Sequence, residues 1–176
     1  MGTFRITYAT TSADDTEMHA AYAAAVAEVR RELDGDHVLH VGDEHRHGAT
    51  FATVSPLDTS VVIGRFVDAS GDDVDAAVRA ARAAQPEWAA TPWTERCAIL
   101  DRAADLISER SITDGAVVAW ENGKSQLEAI GEVEEAADLI RYYTHAMREH
   151  DGFEVPMQRF TEREVTTDVM RPYGVW

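Results

Sequence analysis

The sequence predicts an α/β chain, mainly helical with short strands, and three observations carry that reading. Several stretches repeat apolar residues at three- and four-residue spacing, the period of an amphipathic helix. Between the first and second of them lie short runs rich in β-branched residues, bounded by Gly, Pro and Asp. Two serines, Ser70 and Ser125, stand three residues ahead of a carboxylate, the spacing of a helix-opening capping box.

In chain order, residues 1–13 are polar and Thr-rich and read as a flexible N-terminal arm, with 14–176 as one continuous region. Over 14–33, Met18, Tyr22, Ala25, Val26, Val29 and Leu33 share one helical face, and Asp34-Gly35-Asp36 ends it. Residues 37–41 and 50–54 read as the two strands of a hairpin around a Gly- and His-bearing turn, with Pro56 closing the second. Residues 61–67 give a further strand after the Leu57-Asp58-Thr59 turn.

Ser70 and Asp73 then open a helix whose Val74, Ala77, Val78 and Ala81 form one apolar face, and Pro86 is expected to stop it. Trp88 and Trp93 bracket the turn. Thr94 is placed to cap the next helix, whose Ile99, Leu100, Ala103, Leu106 and Ile107 are expected to face a core. Residues 111–120 continue helically, and Gly123 is placed to end them. Ser125 with Glu128 opens a last helix carrying Leu127, Ile130, Val133, Ala137, Ile140 and Met147, ending near Gly152. Val165, Thr167 and Val169 alternate with polar neighbours as a strand does, and Tyr173-Gly174-Val175-Trp176 reads as the start of another strand.

The charge balance narrows the function classes. Thirty-two acidic residues oppose 16 basic ones, the net charge is −16, and Lys124 is the single lysine. Such a surface has no basic patch to release counterions from phosphate, so neither nucleic acid nor an anionic membrane is expected as a partner. It suits a cytoplasm of high salt, where screening weakens self-repulsion. Cys97 stands alone, which rules out an intrachain disulfide. The first residues show no apolar leader and no run has the length of a membrane span, so a cytoplasmic protein is expected.

Candidate chemistry is sparse. Cys97 lies inside a helix between Arg96 and Ala98 and reads as a small buried hydrophobe rather than a nucleophile. His37, His40, His45 and His47, with Asp43 and Glu44, have ligand chemistry but poor spacing, so no metal is expected. Glu132, Glu134, Glu135 and Asp138 read first as a solvated helix face, offset by Arg141 three residues beyond Asp138. Lys124 reads as a helix-terminus residue.

Glu121-Asn122-Gly123-Lys124-Ser125-Gln126-Leu127-Glu128-Ala129, then Asp138-Leu139-Ile140-Arg141-Tyr142-Tyr143, then Met170-Arg171-Pro172-Tyr173-Gly174-Val175-Trp176 form an ordered set. Ahead of it come Ser55-Pro56, Val62-Ile63-Gly64, Asp73-Val74-Asp75-Ala76-Ala77-Val78, Trp88-Ala89 and Thr94-Glu95-Arg96. This order, covering nearly the whole chain, resembles the N-terminal part of the aldehyde dehydrogenase superfamily. The long first helix and the run Gly131-Glu132-Val133-Glu134-Glu135-Ala136 are similar to the branch that oxidises L-glutamate γ-semialdehyde, which arises from 1-pyrroline-5-carboxylate.

The resemblance implies an NAD(P)-dependent oxidation in proline catabolism, with NAD or NADP in the complete enzyme and a small aldehyde as substrate. It also implies that the catalytic Cys, the general-base Glu, the oxyanion Asn and the Rossmann-like cofactor units match positions beyond Trp176. The segment itself is then expected to carry no catalytic residue, bind no cofactor and be inactive alone. For Glu135 it implies a role in holding the substrate's α-amino group, since a carboxylate there discriminates an amino-acid aldehyde from a plain one. For residues 156–172 it implies a strand region through which copies assemble into a homo-oligomer. Two other readings stand beside it: another semialdehyde dehydrogenase, such as the succinate semialdehyde type, and a non-catalytic remnant that pairs with a larger subunit.

Overall fold

A computed structural model describes residues 15–176; the arm expected at 1–13 lies outside the described residues. Helix α1 (Thr16–Glu32) opens on Asp15, whose carboxylate accepts the Met18 N–H at 2.9 Å. Its Met18, Tyr22, Ala25 and Val29 are buried, as their spacing predicts. They meet Ala116 and Ala119 of α4 (Ser111–Asn122) and Ala129 and Ile130 of α5 (Gln126–Glu149) in the main core. The two later helices approach closely because Gly115 is bare: a Cβ there would lie 3.0 Å from Ile130 Cγ1 and 3.1 Å from its backbone.

The strands pair differently from the expected hairpin. β1 (Gly35–His37) runs parallel to β5 (Val62–Val67), and β4 (Thr50–Val54) is antiparallel to β5 on its other side. The hairpin is instead β2 (Leu39–Val41) with β3 (Glu44–Arg46), joined at Gly42, whose φ of +58° is the left-handed conformation a two-residue turn needs. So the 37–41 stretch divides between two sheets, and 50–54 takes 62–67 as its partner across the Pro56 turn.

Two helix boundaries also depart from expectation. α2 (Gly71–Ala90) opens on the predicted Ser70–Asp73 capping box but carries on through Pro86 by another turn. α3 (Trp93–Glu109) starts at Pro92, whose carbonyl accepts the Glu95 and Arg96 N–H groups, so Thr94 lies inside the helix rather than capping it. The predicted apolar faces of these helices are largely open: Val74, Val78, Ile99, Leu100 and Leu106 are exposed, whereas Ala76, Cys97 and Ala104 are the buried positions. α3 lies along α5, and α4 sits between α5 and α1.

After α5 a short turn, Asp151–Phe153, leads into β6 (Glu154–Pro156), which pairs antiparallel with β7 (Thr167–Val169). Val165 lies outside the strand predicted for it and is exposed, and residues 171–176 carry no regular structure in place of the strand expected there. No helix among the described residues is long and apolar enough to cross a membrane.

Candidate functional site

The site is built on α5, and its start is fixed locally. Gly123, at φ +71°, ends α4 by donating its N–H to Ala119 O at 2.9 Å. Two residues later Ser125 donates through its hydroxyl (2.7 Å) and its N–H (3.2 Å) to Glu128 Oε2, starting α5 where the sequence predicts. The Ser125 hydroxyl, then its N–H, hold the Glu128 carboxyl below the usual range. Lys124 at this junction forms an ion pair with Glu132.

Further along α5 the acidic run divides. Glu135 is exposed, as are Glu132 and Ala136, and Leu139, Tyr142 and Tyr143 continue the same open side of the helix. The Tyr142 and Tyr143 rings stand edge to face with centroids 5.4 Å apart. Glu134 does not belong to the solvated face expected of it: it is 1% exposed and accepts a 2.8 Å hydrogen bond from Ser108 Oγ of α3. The signal was present in the spacing, because Glu134 follows Ile130 by four residues and precedes Ala137 by three, on the buried stripe.

Ten residues beyond Glu134, Thr144 is buried and donates to Asp101 Oδ1 at 2.6 Å, and Arg148 pairs with the same carboxylate. Burial opposes ionisation of Asp101, but the Arg148 and Thr144 bonds outweigh it and hold the carboxyl low.

The remaining candidates are not brought to Glu135. Cys97 is buried at 3% exposure with Sγ 3.9 Å from Thr144 O, the packed position the sequence reading gave it. His40 and His45 face each other across the β2–β3 hairpin with ring centroids 4.6 Å apart, and His37 stacks on Phe66 at 4.7 Å. No group of three or more His, Cys, Asp or Glu side chains suited to a metal ion occurs among the described residues. A groove of about 880 Å³ opens elsewhere, lined by Trp88, Trp93, Arg96, Phe153, Met170 and Arg171 among others, and Glu135 is not part of its wall.

The family model for the aldehyde dehydrogenase family matches residues 43–176, and the chain belongs to that family, as an N-terminal portion of its fold. Among its relatives, the chain is 33% identical over 140 residues to 1-pyrroline-5-carboxylate dehydrogenase 2 of Bacillus subtilis, covering 79% of this chain and 27% of that protein. It is 32% identical over 136 residues to 1-pyrroline-5-carboxylate dehydrogenase of Staphylococcus saprophyticus, covering 77% and 26%. A Thermus 1-pyrroline-5-carboxylate dehydrogenase solved with bound NAD superposes with a TM-score of 0.77 at 27% identity, over 85% of this chain and 29% of that one. The chain thus spans about a quarter of the length of the curated relatives it matches.

Proposed function

We propose that this chain is the N-terminal part of an NAD(P)-dependent aldehyde dehydrogenase that oxidises L-glutamate γ-semialdehyde, formed from 1-pyrroline-5-carboxylate, to glutamate in proline catabolism. The observation that carries the reading is Glu135: a carboxylate left exposed on α5 in a family member whose relatives bear that activity in their names. Its charge suits the ammonium of an amino-acid aldehyde through a charge-assisted hydrogen bond. A plain aldehyde has no group to offer it.

A nicotinamide nucleotide, when bound, accepts the hydride released by the oxidation. The segment contains no Gly-rich phosphate cradle of the kind that holds such a nucleotide, so we assign no residue here to the cofactor. The contribution of these residues is binding: Glu135 anchors the substrate, and α3 and α4 hold the helix that carries it. The β6–β7 ribbon, with Phe160 96% exposed between its strands, serves assembly into a homo-oligomer, and the acidic surface suits a salt-rich cytoplasm.

The exposed Val74, Ile99, Leu139 and Tyr142 favour one second reading, pairing of this chain with a larger subunit. Turnover assays test the substrate assignment. The full-length protein should reduce NAD or NADP with glutamate γ-semialdehyde in preference to succinate semialdehyde, and residues 1–176 alone should not. Preference for succinate semialdehyde would overturn the substrate assignment.

A further inference from the structure

We propose that Glu134 is the positioning residue for Glu135: by pinning α5 to α3 through Ser108, it sets the direction in which the helix offers the Glu135 carboxylate to substrate. The proposal rests on the reading of Glu135 as the group that holds the substrate ammonium.

A carboxylate is a costly side chain to bury, and an apolar residue would fill the same stripe at less cost, as Ala137 does at 0% exposure. Glu134 is nonetheless 1% exposed and bonded across the helix interface by Ser108 Oγ at 2.8 Å. Ser108 Oγ in turn accepts from Arg141 Nη2 at 3.1 Å, and the same nitrogen lies 3.1 Å from Ala104 O and 3.1 Å from Asp105 Oδ1. Arg141 also reaches Asp138 Oδ1 at 3.3 Å. Glu134 and Arg141 are seven residues apart on one helix face, separated by about 10 Å along the axis. Two polar contacts at that separation, both converging on Ser108, add directional bonds between α5 and α3 to the apolar packing of the helix.

Rotation matters to Glu135 because adjacent helix positions stand about 100° apart on one rigid cylinder. At a side-chain radius of roughly 5–6 Å, a turn of about 10° moves a carboxylate by about 1 Å, and a misplacement of that size is enough to cost substantial rate. Glu134 therefore acts on the substrate only through Glu135.

The test uses the full-length enzyme, four single variants and one double variant, each assayed with glutamate γ-semialdehyde and propanal. Ser108→Ala and Glu134→Leu should raise KM for the semialdehyde about 10-fold with kcat near wild type, leaving propanal within about twofold. Glu134→Gln, which retains an acceptor for Ser108, should keep wild-type selectivity. Adding Ser108→Ala to Glu135→Gln should bring no further loss of selectivity, because both act on one contact. If Glu135→Gln shifts selectivity while Ser108→Ala does not, the positioning role is wrong and the anchor stands. If Glu135→Gln shifts nothing, the anchor reading itself fails. Equal losses on both aldehydes in Ser108→Ala would show a merely structural bond and overturn the proposal.

Discussion

Ser55 Oγ donates a 2.6 Å hydrogen bond to the carbonyl of Trp120, joining the end of β4 to the last turn of α4. The same oxygen accepts the Leu57 N–H at 3.2 Å, and Ser55 is 0% exposed. A helix's final carbonyls have no partner within the helix, so Ser55 acts as a long-range C-terminal cap. Ser55→Ala leaves both part-buried backbone groups without this partner. It should cost about 1–3 kcal/mol in chemical denaturation, and Ser55→Thr should recover part of that where the extra methyl is accommodated.

Ile130 is 0% exposed and lies directly against Gly115. Ile130→Ala removes apolar contacts from the point where α1, α4 and α5 meet, and should lower stability by about 2–5 kcal/mol. A urea titration reads the loss; a change under about 1 kcal/mol would mean the three helices do not share one core.

Acid should weaken the start of α2. The Asp73 carboxyl is lowered from 3.8 to about 2 by the Ser70 hydroxyl, the Ser70 N–H and Arg46. A carboxyl held below its unfolded value stabilises the fold fully above that value and loses the contribution as pH falls through the folded one. The window is therefore from about pH 4 down to about pH 2. The Tm difference between the wild-type chain and Asp73→Asn should be open at pH 6 and closed near pH 2. A difference independent of pH would place its origin in packing.

Salt should stabilise the chain. At a net charge of −16 the acidic groups repel one another in dilute buffer, and about 1 M KCl shortens that repulsion to roughly 3 Å. Tm is expected to rise from dilute buffer to molar KCl. A flat or falling Tm would remove the support for a salt-rich habitat.

The helices were the legible part of this fold because their signals are local. The 18, 22, 25, 29 stripe, the Ser70–Asp73 box, the Ser125–Glu128 bonds and the Gly123 stop each lie within a turn or two of the residue they govern. Strand pairing is not local: nothing near Gly35 states that its partner is Gly64, and His37 falls in one sheet while His40 and His45 fall in another. Pro86 failed as a stop because one lost N–H near the end of a long helix is outweighed by the helix around it. Apolar periodicity in α2 and α3 identified helices but not their cover, since Val74, Ile99 and Leu106 are open in this segment. On α5, the exposure of Glu135 was legible in the acidic run. The burial of Glu134 runs against its charge and follows its place on the Ile130–Ala137 stripe.

The proposed role of Glu135 as substrate anchor is tested most directly by Glu135→Gln in the full-length enzyme, measured as kcat/KM for glutamate γ-semialdehyde and for propanal. Gln keeps the shape and removes the charge, so the semialdehyde should lose about 1–3 kcal/mol of transition-state binding, roughly 5- to 150-fold, while propanal stays within about twofold. An equal fall for both aldehydes, or a fall for neither, would return Glu135 to the solvated face of α5 and contradict the account.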